Sequence, residues 1–400
     1  MSGAEARSSA AQEGVRTRRG AGRGRVCFYS EYAYPLIARG VVPFAGGAEA
    51  MVVRLARGLA VRDYEVSLVT CDYGQPAREL IDGVTVLRAF RPGRGLPVLR
   101  FFHPRLTLAI SALMRADADV YYVCGSGMSA GLTCDVAKLR RAGFVLAMMT
   151  DYDVMAAPPP NVGVTNRRWY LRALARANRV LAQTEFQQTE LRRNFGVESA
   201  VLPNLVEIPA WRADPGQEGV VFWQATYKAI KRPEWFLRLA RDLPQVRFAM
   251  AGIVPESGSP EWEAAVAASR ELPNLEVHGF LSDDELVAMR RRSALVVHTS
   301  PVEGFSNVLL EAWACGLPTV SGVNPDDLVT REGLGAYAPD YDALLAAVRR
   351  LMADPGARAS AGERARRYAE SRHGAEAVFG ILTPALDGVI ARARRRKGRR

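Results

Sequence analysis

The stretch Glu303-Gly-Phe-Ser-Asn-Val-Leu-Leu-Glu311-Ala-Trp-Ala-Cys-Gly-Leu-Pro-Thr-Val320 decides the fold of this chain. It follows an apolar run, residues 294–300, that is typical of a buried strand. Its Gly-Leu-Pro end predicts a helix stop followed by a new strand. Glu303 therefore lies in the turn after a strand, and Glu311 lies one to two turns into the next helix. Two acids in these positions predict a ligand-binding crevice at the carboxyl ends of the strands of an open parallel sheet.

Short β-rich runs alternate with helical stretches on both sides of this segment. We predict strands at residues 26–30, 65–70, 119–123, 144–149, 179–182, 220–223, 246–251 and 275–278. We predict helices at residues 48–60, 106–115, 130–141, 233–242 and 261–270, and after the capping box Ser282–Glu285. This βαβ alternation predicts parallel sheets with helices on both faces. The pattern restarts after residues 210–219, whose proline and two glycines are typical of a linker.

The length of 400 residues suits two domains, and the 48% of hydrophobic residues suffice for two cores. The net charge of +11 belongs to the two ends, because six arginines oppose two glutamates in residues 1–25 and seven basic residues lie among the last nine. The body between them is formally neutral and has no interleaved basic–aromatic motif, which argues against nucleic-acid binding. Disordered basic tails are the simplest interpretation, and weak attraction to anionic lipid is the functional alternative.

The five cysteines are scattered and show no CxxC spacing, so buried reduced thiols in a cytoplasmic protein fit them best. The sequence shows no uninterrupted apolar run of membrane-spanning length and no apolar core of a secretory signal at its start. We therefore expect a cytoplasmic protein, with peripheral contact at the inner face of the membrane through the basic tails as the alternative.

The Glu303–Val320 stretch, placed after a strand in the second of two similar α/β halves, resembles the glycosyltransferases of family 4. The resemblance covers nearly all of residues 25–380. It implies the GT-B fold, in which two Rossmann-like, doubly wound parallel-sheet domains face each other across a cleft. It also implies retaining transfer of a sugar from a nucleotide-diphosphate sugar to a hydroxyl acceptor, which is a glycan, a lipid-linked molecule or a small molecule. Glu303 is then expected to contact the donor sugar, and Glu311 the nucleotide ribose.

This resemblance sets the expected domain organisation. The expected segments are a disordered basic tail (1–24), an acceptor-side domain (25–209), a donor domain (210–370), a C-terminal helix that crosses back to the first domain (371–390) and a second basic tail (391–400).

Three features could meet the charge of the donor diphosphate. The first is the helix start after Glu303, where backbone N–H groups of Gly304, Phe305, Ser306 and Asn307 would point at an anion, helped by the helix dipole.

The second feature is Lys228 with Lys231 and Arg232 after the strand at residues 220–223. The family usually has Gly-Arg there and a Lys five positions beyond the Arg. Lys231 matches that Lys, but the Arg position holds Thr226, so the resemblance is broken at this point. The third feature is the Gly46-Gly47 turn before a helix, because glycine lets backbone approach a phosphate or a sugar closely.

A second departure concerns Thr150, which stands where many relatives have a donor-contacting His. The following Asp151 is the remaining candidate for catalytic contact. Asp151-Tyr152-Asp153 also matches the DxD pair that holds a metal in a different glycosyltransferase fold. Here it lies in the first half, far from the donor signature, so we interpret it as a loop feature and expect no essential metal and no cofactor.

The nucleobase is expected to contact backbone near His278-Gly279-Phe280, and the sequence does not choose among uracil, guanine and adenine. On the acceptor side, Arg168, Arg172 and Arg176 share one helical stripe. A solvated basic face is the default interpretation of this stripe, and an anionic or lipid-linked acceptor is the sharper one.

Two other hypotheses remain open at this point. A nucleotide-sugar 2-epimerase of GT-B fold would also activate a nucleotide sugar between two such domains. A donor-binding pseudoenzyme would account for Thr226 and Thr150, and a nucleic-acid binder would use the tails.

Overall fold

The computed structural model describes residues 22–38, 46–95, 102–157, 163–214, 219–255 and 258–398, so the predicted N-terminal tail falls almost wholly outside the described residues. The first domain is built on an eight-stranded sheet with the order β3-β4-β2-β1-β5-β6-β7-β8. Its strands are β1 Gly24–Tyr29, β2 Tyr64–Thr70, β3 Arg78–Ile81, β4 Val84–Arg88, β5 Val120–Cys124, β6 Gly143–Ala147, β7 Arg179–Ala182 and β8 Ala200–Val201. Every pairing is parallel except that of β3 with β4.

The second domain is built on a six-stranded, fully parallel sheet with the order β11-β10-β9-β12-β13-β14. Its strands are β9 Val220–Gln224, β10 Phe248–Ala251, β11 Leu275–Val277, β12 Ser293–His298, β13 Thr319–Ser321 and β14 Gly335–Tyr337. Strand order reverses between β9 and β12, which places a crevice at their carboxyl ends. The predicted architecture of two doubly wound parallel-sheet domains is confirmed.

Helices connect the strands and cover both faces of each sheet. In the first domain they are α1 Tyr34–Ile37, α2 Gly47–Ala60, α3 Thr107–Ala116, α4 Met128–Leu139, α5 Val164–Arg176 and α6 Glu185–Phe195. In the second domain they are α7 Pro233–Asp242, α8 Pro260–Glu271, α9 Asp283–Arg292, α10 Asn307–Ala314, α11 Leu328–Arg331 and α12 Tyr341–Ala353. Two long helices, α13 Pro355–His373 and α14 Ala375–Gly398, end the chain.

Burial on both sheet faces explains the continuous apolar runs of the central strands. All residues of β6 and β12 are buried, as expected for parallel strands covered by helices on both sides. Helix α2 is amphipathic: its buried residues are apolar, and its charged residues lie on the other face. The hairpin β3–β4 and helix α6 were not predicted. The hairpin strands are short and partly exposed, and α6 carries few apolar residues.

Helix α14 packs on the first domain, where Val378, Phe379, Leu386 and Val389 belong to the same core as β1 and β2. The sequence predicts that this helix ends near residue 390 and that a basic tail follows. In the structure the helix continues through the basic residues to Gly398, and Arg394 Nη2 lies 3.0 Å from the Asp119 carboxylate. An acid at the amino end of β5 thus holds part of the basic segment that was expected to be a free tail.

One helical stretch among the described residues, Pro355–Gly398, reaches membrane-spanning length and composition. Glu376, Pro384 and Asp387 interrupt it in the sequence, and the structure divides it into α13 and α14. The apolar residues of α14 are packed in the first-domain core described above.

Candidate active site between the two domains

The loop between β12 and α10, residues 299–306, carries the predicted donor-binding residues and contacts the first domain. A Cβ added at Gly304 would come within 2.7 Å of the Met149 carbonyl oxygen and 2.8 Å of Gln183 Oε1. Asn204 Nδ2 donates to the Phe305 carbonyl oxygen at 3.2 Å. The loop is therefore held against the first domain so closely that only glycine fits at position 304.

Glu303 is held by two cationic or hydrogen-bonding groups of its own domain. Lys231, on a short 3-10 turn after β9, forms an ion pair and hydrogen bond with Glu303 Oε1. His298, the last residue of β12, places Nε2 at 3.5 Å from the same oxygen. Side chains from the ends of two neighbouring strands, β9 and β12, thus meet at Glu303. The donor contacts expected of Glu303 and Lys231 stay predictions.

The environment of Glu303 keeps its carboxylate ionised. Burial alone would raise its pKa, but His298 and Lys231 outweigh burial and lower the pKa to about 2. His298 is 4% exposed, and its Nδ1 has no hydrogen-bond partner among the described residues. Glu303 is therefore suited to accept hydrogen bonds from hydroxyl groups, and it is unsuited to donate a proton near neutral pH.

The N-terminal ends of α2 and α10 meet across the cleft. Asn307 Nδ2 donates to the Gly47 carbonyl oxygen at 3.0 Å, and a Cβ at Gly47 would come within 2.6 Å of that nitrogen. The Gly46 N–H donates to Glu49 Oε2 at 2.9 Å. Ser306 caps α10 without a side-chain hydrogen bond, so the helix start keeps amide donors that a ligand could use.

Phe305 lies differently from the expectation that placed it at the phosphate. Its N–H donates to Gln183 Oε1 at 3.3 Å, and its ring packs against Trp313 and His373 in the core. In this structure the Phe305 amide thus already has a protein partner. Only the amides after it are without a side-chain cap.

The remaining predicted donor residues are Lys228, Arg232 and Phe280. Lys228 is exposed, and Phe280 is 48% exposed. The Arg232 guanidinium lies 4.6 Å from the centre of the Trp235 ring, so it packs on its own helix start. Their roles in donor binding stay predictions.

Asp151 lies on a 3-10 turn after β6 and faces the cleft. Its Oδ1 accepts from Gln187 Nε2 at 3.0 Å. Burial raises its pKa, and Asp326, Asp153 and Glu303 add to this effect by repulsion. Asp153 instead caps the turn, because its carboxylate accepts from the N–H groups of Ser126, Met149 and Thr150. The DxD pair is thus divided between a cleft acid and a structural cap, consistent with its interpretation as a loop feature.

Glu311 makes contacts that the sequence did not predict. Arg54 of α2 in the first domain places Nη2 at 2.5 Å from Oε1, and Arg290 of α9 pairs with Oε2. Burial raises the Glu311 pKa, but Arg290 and Arg54 outweigh burial and lower it to about 2. The acid expected at the ribose is therefore also the centre of an ion-pair cluster that joins the two domains.

Glu303 and Glu311 should make the fold sensitive to acid. Their folded-state pKa values of about 2 lie below the unfolded value of about 4.3, so their contribution is complete above pH ~5 and is lost as the pH falls toward 2. We expect the free energy of unfolding, measured with urea from pH 7 to pH 3, to fall across this window. Glu311→Gln should be less stable at pH 7 and should lose less stability on acidification. Glu271→Gln, at an exposed acid, is the matched control, and equal acid sensitivity of both variants would contradict the assignment.

Three residues of this site were missed in the sequence. Arg54 interrupts the apolar run at residues 51–56 of α2, and a charge at that point was a usable signal. His298 ends a buried strand, and a histidine at that point was a weaker signal of a functional site. Arg290 is one of three consecutive arginines, and nothing in the sequence distinguishes it from the other two.

Comparisons with known proteins bear on both halves of the chain. Residues 210–368 match the family model described as glycosyl transferases group 1, and residues 45–208 match the model described as glycosyltransferase family 4. A similar curated relative is the D-inositol 3-phosphate glycosyltransferase of Kineococcus radiotolerans, which is 27% identical over 88% of this chain and 93% of the relative. The corresponding protein of Rhodococcus jostii is 25% identical over 90% of this chain and 88% of the relative.

Solved structures show the same two-domain arrangement. Sucrose-phosphate synthase from Thermosynechococcus elongatus has a TM-score of 0.75 at 19% identity, covering 92% of this chain and 99% of that chain. HepE from Anabaena, solved in complex with UDP, has a TM-score of 0.70 at 16% identity, and the match covers 91% of this chain and 100% of that chain. These likenesses establish the GT-B fold, and the two matched models follow one another along the chain in the order of its two domains.

Proposed function

The chain belongs to the family 4 glycosyltransferases, and on that premise we propose that it transfers a sugar from a nucleotide-diphosphate sugar to a hydroxyl acceptor with retention at the anomeric carbon. The observation that carries this proposal is the convergence of Lys231, Glu303 and His298 beside the uncapped start of α10. This arrangement combines positive charge and amide donors for a diphosphate with a fixed anion for sugar hydroxyls.

Breaking the bond between the anomeric carbon and the diphosphate leaves negative charge on the departing group. Lys231 and the amides at the start of α10 would stabilise that charge, and such preorganised electrostatic contacts are usually the largest contribution to catalysis. Because helix amides and a lysine can meet the charge, we expect no metal requirement.

Glu303 would orient the donor sugar through hydrogen bonds to its hydroxyls. The two glutamates do not suit an acid–base pair of the glycosidase kind, because that pair needs one carboxyl group with a raised pKa. Both Glu303 and Glu311 have pKa values lowered to about 2. The acceptor hydroxyl would instead pass its proton to the departing diphosphate.

Glu311 would accept hydrogen bonds from the ribose hydroxyls. A carboxylate offers about four lone-pair positions, so ribose can bind while Arg54 and Arg290 keep their contacts. The two arginines would then hold the acid ionised and fixed for the nucleotide.

Thermal unfolding with UDP-, GDP- and ADP-sugars tests the proposal. One of these donors should stabilise the protein by about 2.7 kcal/mol when present at roughly 100 times its dissociation constant. EDTA should leave this stabilisation unchanged, and Lys231→Met should reduce it, since the diphosphate loses a cation. Exposed Lys138→Met is the control.

A protein that no nucleotide sugar stabilises would contradict the proposal. Conversion of the bound donor to an isomeric nucleotide sugar without acceptor would instead indicate an epimerase. The anomeric proton coupling in the product would show whether the configuration is retained.

A further inference from the structure

A cavity of about 380 Å³ opens in the first domain at the carboxyl ends of β1 and β5. Its walls include Glu31 after β1, Glu49 in the first turn of α2, and Ser129 in the first turn of α4. Because Glu49 lies two residues after Gly47, which contacts Asn307 of the donor domain, the cavity adjoins the proposed donor site. Its volume suits a ligand of one or two sugar rings, at the small end of ligand pockets.

Among the described residues that line the cavity, one side chain is basic, that of Arg105, and it is already paired. Arg105 Nη2 lies 3.1 Å from Glu31 Oε2, and the Tyr29 hydroxyl donates to Glu31 Oε1 at 3.1 Å. The Glu31 side chain is 12% exposed and the Arg105 side chain is 39% exposed, so the acid is largely withdrawn from water while the guanidinium stays partly open. Arg105 therefore already has an anionic partner before any ligand enters.

Glu49 adds a second negative charge to the described lining of the cavity. One of its oxygens accepts from the Gly46 N–H, and among the described residues no Lys or Arg side chain pairs with it. The N–H of the lining residue Ser126 donates to the Asp153 carboxylate, so a further negative charge lies next to the cavity lining. Across the described lining residues, Glu31 and Glu49 outweigh Arg105, so the charge is net negative and a phosphate would meet repulsion there.

The basic stripe predicted on α5 does not change this balance. Arg172 pairs with Asp135 and packs on Trp169, away from the cavity. The α5 residue that lines the cavity is Asn166, whose amide can donate and accept hydrogen bonds. The alternative of an anionic acceptor, raised by the stripe, thus finds no support in the cavity.

We propose that this cavity binds the acceptor and selects a neutral polyol ring, a sugar or a cyclitol, over its phosphorylated form. The proposal rests on the proposed function of the chain. Carboxylates, a serine hydroxyl and an asparagine amide offer acceptors and donors for ring hydroxyls, while the net negative lining penalises a phosphate. The acceptor hydroxyl that reacts would point toward Gly47 and the donor.

The test measures acceptor use with the donor identified by thermal unfolding. Matched pairs are offered to the full chain: myo-inositol and D-inositol 3-phosphate, glucose and glucose 6-phosphate, and N-acetylglucosamine and its 6-phosphate. Product is detected by mass spectrometry, and nucleoside diphosphate release gives kcat/KM. In the pair that reacts, the neutral member should be favoured at least tenfold.

Two substitutions separate charge from shape. Glu31→Gln removes a charge and frees Arg105, so it should raise the relative use of the phosphorylated member about tenfold. Glu49→Gln keeps an oxygen for the Gly46 N–H and should shift the preference in the same direction. Glu271→Gln, in the second domain, should leave the ratio unchanged.

Preference for a phosphorylated member overturns the proposal, and so does failure of every neutral acceptor in a protein that binds its donor. An unchanged ratio in both cavity variants also overturns it. Absence of any nucleotide-dependent stabilisation would count against the proposed function instead, which keeps the two failures distinct.

Discussion

Replacing Glu303 with glutamine is expected to lower kcat for sugar transfer by about 100- to 1,000-fold, the range found when one preorganised electrostatic contact is removed. The side chain keeps its shape but loses the charge that Lys231 and His298 hold in place. The pKa of about 2 means that the wild-type carboxylate is anionic throughout the neutral range, so the loss should not be recovered by changing pH between 6 and 9. Steady-state kinetics at saturating donor would measure it.

The control for this result is again Glu271→Gln, which should transfer sugar at the wild-type rate. Lys231→Met should also lose activity. It removes the cationic partner of Glu303, and it removes a cation from the diphosphate site. Wild-type rates in both Glu303→Gln and Lys231→Met would contradict the site as described. A loss of the native circular dichroism spectrum in either variant would mean that the effect arises from folding.

The second large effect is expected for Gly304→Ala, which should reduce kcat/KM about a hundredfold. The new Cβ would lie 2.7 Å from the Met149 carbonyl oxygen and 2.8 Å from Gln183 Oε1, both in the opposite domain. Backbone cannot yield as a flexible side chain can, so the donor loop must move away from the first domain. A displacement of about 1 Å from the reacting geometry is enough for a loss of this size.

Gly380→Ala is the matched control, because an added Cβ there meets no atom within 4 Å and the residue is helical. It should keep full activity and equal or slightly higher stability. Full activity of Gly304→Ala would show that the contact between the loop and the first domain is not needed for transfer.

The fold was predictable because periodicity along the chain reports burial, and both sheets are buried on two faces. Strand β12 (Ser293–His298) and the helix after it follow from apolar runs, although the predicted strand run 294–300 extends two residues into the loop. The hairpin Arg78–Ile81 and Val84–Arg88 escaped prediction because its first strand is an exposed edge, where burial imposes little pattern.

The site was predictable where its residues belong to local motifs. Glu303 and Lys231 were assigned from the resemblance, and the structure pairs them. Arg54 and Glu311 are 257 positions apart, and only the packing of the two domains brings them together. Asp326 likewise accepts hydrogen bonds from a helix of the other domain, and no local sequence pattern predicts such a contact.

Asp326 completes a helix that belongs to the other domain. Its two carboxylate oxygens accept from the Glu185 and Phe186 N–H groups at 2.8 and 3.0 Å, at the start of α6. Were the domains to part, these two amides would lose their acceptors and become open to exchange with solvent deuterium. Hydrogen exchange at these two backbone positions would therefore report a separation of the two domains without any label.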